Sequence, residues 1–337
     1  MLRFGLTQGQ SRGASNFTTL TSAQRASSIT LLSDNTIAAI DEYDLVLCNP
    51  ETFSVESRYP YSIFLYGILE LPENKIACPT EDMKILIFSR PEKNKLELYQ
   101  TLEGHTQRVH QVILLENKNL CSCSFDGSII IWKKNDDGKY SLDKQITVGE
   151  VRQATKFDMK TMKVETVEQA RFIDAICQVN KNLVLCSSNS FVEKPGWVKF
   201  VDINNGSIAK KIMLEIGNWN TMIKISDDIV FVGGLNMIYL IKISEMKKIK
   251  EIDCKIRTAG NVTCVLKSND NKFIYAGITE GSGDTASSRL FKYIIDGEDV
   301  KEEKRGYDEP DGINCICKLS NGKIMTGAKV KIVDDLV

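Results

Sequence analysis

Histidine is nearly absent from this chain of 337 residues, which contains only His105 and His110. Two histidines cannot supply a multi-histidine zinc site, and they leave little material for histidine-based catalysis. An excess of either charge is missing as well, because 43 basic residues balance 44 acidic ones. Near-neutral charge argues against a protein that binds nucleic acid through a basic surface.

Long apolar runs and a secretory leader are also missing. Stretches such as residues 63–69 fall far short of the ~20 apolar residues that span a bilayer, so we expect no membrane association. Without a leader, the 10 cysteines indicate a reduced compartment rather than a disulfide framework, and we expect the cytoplasm.

Residues 1–33 contain Arg3, Arg12 and Arg25 but no Asp, Glu or Lys. This composition also occurs in transit peptides, so the mitochondrion is the alternative.

A short pattern recurs along the chain and dominates its organisation. An apolar residue precedes a polar turn rich in Asn, Asp, Lys or Gly, and a second apolar run follows, as in tight β-hairpins. Small residues such as Ala38-Ala39 or Cys121-Ser122-Cys123 come next. The copies lie at residues 32–37, 71–76, 115–120, 179–184, 225–230, 267–274 and 319–324.

The period of this pattern is about 40 residues, with four short strands in each unit. Such a period is typical of a β-propeller. We therefore expect an all-β fold with seven four-stranded blades. Residues 150–170 depart from the period and leave six or eight blades as alternatives.

One unit resembles a repeat of the WD40 family. The similarity lies in Gly104-His105, in Ser124-Phe125-Asp126-Gly127 and in Trp132, and it covers residues 102–133. The resemblance implies a WD40-like propeller. It also implies a hydrogen-bonded structural network in which His105 joins Asp126 to Ser122 or Ser124, and the serine reaches the Trp132 indole N–H.

The last unit supplies only three strands, and an unpaired sheet edge invites aggregation. Residues 17–21 have strand composition, and we predict that they close the last blade. The predicted organisation is a flexible tail at residues 1–15 and one propeller domain at 16–337, with an insertion at about 150–170.

Longer connections at 150–170, 187–196 and 279–288 all fall on one side of the predicted ring, because antiparallel strands alternate in direction. Exposed loops on a rigid scaffold carry function, so we predict the partner-binding surface there. Arginines precede four first strands, and aromatic residues lie in or beside the same loops. The predicted binding residues are Arg25, Arg108, Arg171, Arg257, Phe125, Phe191, Trp197 and Trp219.

The arginines favour an acidic or phosphorylated segment of another protein as the ligand. We expect a non-enzymatic WD40-type scaffold or adaptor that is a subunit of a larger assembly. The alternatives are a ubiquitin-ligase substrate receptor and, less favoured, a propeller-based hydrolase or lyase. We expect no cofactor and no metal, because the pairs Cys121/Cys123 and Cys315/Cys317 lie in apolar strands, where cysteine packs as a small hydrophobe.

Overall fold

The computed structural model describes residues 26–333 except 159–162, 190–195, 217–220, 255–259, 281–286, 310–311 and 329. Every regular element in these residues is a β-strand, and neighbouring strands pair antiparallel. Six sheets have four strands each, arranged in chain order from the innermost to the outermost strand. We call these sheets blades 1–6.

The strands of blades 1–3 are β1 (Ala26–Leu31), β2 (Ile37–Asp41), β3 (Asp44–Cys48), β4 (Val55–Tyr59), β5 (Leu69–Leu71), β6 (Lys75–Pro79), β7 (Lys84–Ser89), β8 (Glu97–Glu103), β9 (Val109–Leu114), β10 (Leu120–Ser124), β11 (Ser128–Lys134) and β12 (Tyr140–Thr147). A separate hairpin follows, formed by β13 (Val151–Asp158) and β14 (Lys163–Ala170).

The strands of blades 4–6 are β15 (Ile176–Gln178), β16 (Leu183–Ser188), β17 (Gly196–Asp202), β18 (Ile208–Leu214), β19 (Met222–Lys224), β20 (Ile229–Gly233), β21 (Met237–Lys242), β22 (Lys247–Asp253), β23 (Gly260–Lys267), β24 (Phe273–Glu280), β25 (Ser287–Asp296) and β26 (Asp299–Glu309). The terminal sheet has three strands, β27 (Ile313–Lys318), β28 (Ile324–Ala328) and β29 (Lys331–Val333).

Burial follows the position of each strand within its blade. The second strands β2, β6, β10 and β20 are buried along their whole length. Their small residues let neighbouring blades approach closely, so the core consists of apolar layers between blades, such as the layer between blades 3 and 4. The outer strands β8 and β18 are largely exposed.

The terminal sheet completes the ring. Its strand β27 packs against β23 of blade 6 on one side and β1 of blade 1 on the other. Cys315 and Cys317 share an apolar cluster with Ala26 and Ile29, and the Cys315 thiol lies 3.7 Å from the Ala26 carbonyl oxygen. The first strands of blades 1–6 and of the terminal sheet therefore surround a central channel.

The structure corrects the predicted count of complete blades. The sequence predicts seven, whereas the described residues form six four-stranded blades and a three-stranded terminal sheet. The predicted closing strand at residues 17–21 and the tail at residues 1–15 lie outside the described residues. Residues 150–170 add no blade, because β13 and β14 pair only with each other in the described sheets.

Candidate functional site

One side of the ring carries the segments that join successive blades together with the turns between second and third strands. We call this side the loop face. In blades 1–3 it comprises residues 41–44, 60–68, 80–84, 104–108 and 124–127. These segments end the strands of a rigid scaffold, which fixes the positions of the side chains that they present.

A row of aromatic rings crosses the loop face from blade 1 to blade 4. Adjacent ring centroids are 4.4–5.9 Å apart, and Phe125 and Phe172 stack at 4.4 Å. The row is exposed at one end, where Tyr43 is 42% and Phe64 37% exposed, and buried at the other, where Phe172 is 3% exposed. This aromatic row consists of Tyr43, Phe64, Tyr66, His110, Phe125 and Phe172.

Arg108 lies over the middle of the aromatic row. Its guanidinium carbon is 3.8 Å from the centroid of the Phe125 ring, and its Nη1 donates a hydrogen bond of 3.3 Å to the Tyr66 hydroxyl. Burial raises the pKa of Tyr66, although the Arg108 charge opposes this shift. The Arg108 side chain is 26% exposed and lies 4.0 Å from a Glu81 carboxylate oxygen. It therefore joins the loops of blades 2 and 3.

The turn at residues 80–84 holds the segment that carries Phe64. The Glu81 N–H donates to the Phe64 carbonyl oxygen at 2.9 Å, and the Tyr61 hydroxyl donates to the Asp82 carboxylate at 3.1 Å. Burial and the Asp82 charge raise the pKa of Tyr61 to about 12. In the same turn, Met83 has a φ of 71° and a side chain that is 43% exposed. An apolar residue thus stands at the apex beside the exposed end of the row.

The channel mouth opens next to the aromatic row. A cavity of about 350 Å³ is lined there by residues that include Phe64, Tyr66, His110 and Thr263. His110 Nδ1 and the Asp174 carbonyl oxygen are 2.5 Å apart, so Nδ1 carries the proton. Burial lowers the pKa of His110, which keeps the ring neutral at pH 7.

The predicted arginines reach different environments. Arg108 lies on the loop face, but Arg171 is only 6% exposed. Its N–H donates to the Glu150 carbonyl oxygen at 3.1 Å, and a Cβ on Gly149 would lie 2.0 Å from the Arg171 carbonyl oxygen. The Arg171 backbone thus packs closely against residues 149 and 150, where the chain leaves blade 3 for the β13–β14 hairpin. Arg25 and Arg257 lie outside the described residues.

The predicted aromatic residues are also distributed unevenly. Phe125 belongs to the aromatic row but is only 7% exposed, so it packs in the buried part of the row. Trp197 is half-buried in β17, opposite Met213. Phe191 and Trp219 lie outside the described residues. The structure therefore brings together Arg108 and Phe125 from the predicted set.

Sequence analysis missed the exposed part of the site, formed by Tyr43, Phe64 and Met83. The sequence did contain a signal for an exposed apolar residue here. Residues 63–69 form an apolar run that includes the connection between two blades, where polar residues are usual. Its position between β4 and β5 would have placed Phe64 on the loop face.

A second group of residues in blade 3 forms a buried hydrogen-bond network. The His105 ring lies 2.8 Å from the Asp126 carboxylate through Nδ1 and 2.8 Å from the Ser122 hydroxyl through Nε2. The Trp132 indole N–H donates to the same hydroxyl at 2.8 Å. Because the serine accepts from Trp132, its single O–H donates to Nε2, and the His105 Nδ1–H donates to Asp126.

Ser124 has a different role in this blade. Its hydroxyl donates to the Gln107 carbonyl oxygen at 3.0 Å and accepts from the Asp126 N–H at 3.1 Å. The sequence left Ser122 and Ser124 open as the serine of the network, and the geometry selects Ser122. Ser124 instead fixes the turn that presents Asp126.

Comparison with known families identifies this unit. The family profile "WD40: WD domain, G-beta repeat" matches residues 96–133. Residues 96–133 are similar to one WD40 repeat. The resemblance drawn from Gly104-His105, Asp126 and Trp132 is therefore confirmed. The WD40 repeat comprises β8, the outer strand of blade 2, and β9–β11 of blade 3.

The fold is similar to that of a solved structure over nearly the whole chain. A chain in a structure described as "Crystal Structure of Mitotic Checkpoint Complex" matches with a TM-score of 0.64 at 12% sequence identity. The match covers 99% of each chain. At this identity the likeness shows a shared fold. No curated protein sequence matches the chain significantly.

The described residues include no group of three or more histidine, cysteine or acidic side chains arranged to hold a metal ion. Cys121 and Cys123 are both buried in β10, and burial raises the pKa of each thiol. The described part of the chain also contains no helix long and apolar enough to cross a membrane.

Acid should weaken the WD40 network, since burial alone would raise the pKa of Asp126 but hydrogen bonds from His105, Ser128 and Thr106 lower it to about 2. The unfolded value is 3.8, so the unfolded chain binds more protons between these values. The resulting stabilisation, about 2 kcal/mol, is present above the unfolded pKa and is lost as the pH falls through the folded pKa.

Urea unfolding of the wild type and Asp126→Asn across this range checks the expectation. The difference between their free energies of unfolding should shrink on acidification from about pH 5 to about pH 2. A difference that stays constant with pH would show that the Asp126 charge does not stabilise the fold.

Proposed function

We propose that this protein is a non-enzymatic interaction scaffold that binds another protein on the loop face of blades 1–3. The observation that carries this proposal is the exposed end of the aromatic row. Tyr43 and Phe64 meet edge to face at 5.9 Å, and Met83 adds a further exposed apolar side chain. Clustered exposed aromatic residues and methionine are characteristic of protein-binding surfaces.

The support beneath the exposed side chains favours tight recognition. Arg108 and Phe125 hold the centre of the row, and the turn at residues 80–84 holds the segment at 60–68. A preformed surface loses little conformational entropy on binding, so more of the contact energy contributes to affinity. We propose that the bound protein belongs to a multi-protein assembly.

The channel mouth also supports a scaffold over an enzyme. The described residues around its cavity are aromatic, aliphatic, histidine or neutral polar side chains, without a carboxylate. Deeper in the channel, Asp174 is buried, and its carboxylate accepts hydrogen bonds from Ser187 and Asn189. Those contacts suit a structural aspartate better than a free catalytic base.

We also propose two finer features. Residues 17–21 add an outer strand to the terminal sheet, whose strand β29 is at its edge in the described structure. The protein resides in the cytoplasm, which agrees with its ten free cysteines, nine of them buried.

The double variant Tyr43→Ala/Phe64→Ala should lose its native partner while keeping its fold. Both rings end on the exposed loop face, so their removal deletes the contact surface but little of the core. We expect at least a tenfold loss of the partner that co-purifies with the tagged full-length chain, measured by quantitative mass spectrometry.

The matched control is Leu98→Ala/Ile249→Ala, which removes two similarly exposed apolar side chains from the outer strands β8 and β22. It should retain the partner, and both variants should melt like the wild type. Undiminished recovery with the double aromatic variant would reject the loop face of blades 1–3 as the binding surface.

A further inference from the structure

The exposed end of the aromatic row is surrounded mainly by carboxylates. Glu42 precedes Tyr43 in the β2–β3 turn and is exposed. Glu81 and Glu103 lie in or beside the loops of blade 2, with side chains 51% and 70% exposed. Among the described residues, the acidic ones in this part of the loop face are Asp41, Glu42, Asp44, Glu81, Asp82 and Glu103, and the basic ones are Arg58, Lys84 and Arg108.

Each of these three basic side chains already faces a carboxylate. Arg58 forms ion pairs of 2.7 Å with Asp41 and 2.6 Å with Asp44. These pairs neutralise Arg58, so they remove its charge from the surface that a ligand meets.

Lys84 is neutralised in the same way. Its ammonium nitrogen lies 3.6 Å from Asp82 and 3.5 Å from Glu103. Arg108 likewise lies near Glu81 and stacks on Phe125, and around the exposed rings the described carboxylates outnumber the described cations by six to three.

We propose that this surface recognises a segment of a protein partner that combines apolar or aromatic anchors with lysine or arginine. This inference rests on the proposed function of the loop face and defines the partner's chemistry. The ring faces of Tyr43 and Phe64 attract a cation, while the surrounding glutamates complement its charge and guide the segment onto the surface. An acidic or phosphorylated segment would meet the same carboxylates as like charges.

Charge attraction and apolar contact both contribute to the affinity of this surface for the segment. A single exposed ion pair contributes little, so the selectivity comes from several carboxylates acting on one segment. Because the ion pairs between these carboxylates and the bound segment are exposed to solvent, added salt screens and weakens them. The apolar contacts with Phe64 and Met83 are insensitive to salt and supply the rest of the affinity.

Two labelled peptide pools of about twelve residues, which extend to ~40 Å, test the inference on the full-length protein. One pool randomises Lys, Arg, Leu, Trp and Ser. The other has Asp, Glu and phosphoserine in place of Lys and Arg. We expect fluorescence anisotropy to show at least tenfold tighter binding of the basic pool, with affinity falling as salt rises from about 50 to 300 mM.

The decisive variant is Glu42→Lys/Glu81→Lys, which should weaken binding of the basic pool at least tenfold. Its control, Glu51→Lys/Glu116→Lys, makes the same charge change at exposed turns on the opposite side of the ring and should bind like the wild type. Phe64→Ala should also lose binding. Thermal melts confirm that each variant is folded.

The outcomes separate this inference from the proposed function. If Glu42→Lys/Glu81→Lys binds the basic pool normally while Phe64→Ala does not, the charge preference is wrong and the binding surface stands. Preference for the acidic pool, or no binding of the basic pool, also overturns the inference. If Phe64→Ala binds like the wild type and keeps the native partner, both proposals fall.

Discussion

Deletion of residues 1–25 should lower the melting temperature of this protein by roughly 10 °C. If residues 17–21 pair with β29, their loss removes about five inter-strand hydrogen bonds and their packing, or ~5 kcal/mol. For a chain of this size, each kcal/mol shifts the melting temperature by roughly 2 °C. Differential scanning calorimetry of the deletion variant measures the effect.

Two comparisons show whether the loss comes from strand pairing. Deletion of residues 1–15 removes only the predicted tail and should leave the melting temperature unchanged. Thr19→Pro keeps the chain length but removes a strand N–H, so it should reproduce much of the loss, whereas Thr7→Pro in the tail should not. If the 1–25 deletion melts like the full chain, residues 17–21 do not complete the terminal sheet.

Ser122→Ala should destabilise the protein by about 2–4 kcal/mol, although it removes a single oxygen atom. The Ser122 hydroxyl accepts from the Trp132 indole and donates to His105 Nε2, both at 2.8 Å. Without it, two buried polar groups lose a partner that water cannot replace. Urea unfolding at neutral pH gives the change in free energy.

Ser188→Ala is the matched control for this substitution. Ser188 is as buried as Ser122 and also lies in the second strand of a blade, but its hydroxyl forms no hydrogen bond with any described residue. The same atom is therefore removed without orphaning a donor, and stability should stay within about 0.5 kcal/mol. Equal effects of the two substitutions would contradict the network as a source of stability.

The propeller could be predicted from the sequence because its local signals repeat. Polar turns require backbone conformations that asparagine tolerates, and Asn35, Asn74 and Asn271 indeed have φ values of 53–66°. The small residues after the turns predicted buried second strands, as seen in β2 and β10. These signals depend on neighbours in the chain, which the sequence displays directly.

The binding surface was harder to predict because it depends on side-chain direction. Arg108 and Arg171 precede equivalent strands, yet one stacks on Phe125 at the surface and the other is buried. In the buried case, the Arg171 backbone makes close contacts with Gly149 and Glu150. They join residues on either side of the hairpin, and spacing along the chain does not reveal them.

The WD40 repeat at residues 96–133 does not coincide with a sheet, because it begins with the last strand of blade 2 and ends within blade 3. The sequence repeat is therefore shifted by one strand relative to the hydrogen-bonded sheet. An excised segment of residues 96–133 would contain β8 without its partner β7, and β9–β11 without the outer strand β12. We therefore expect this segment not to fold by itself.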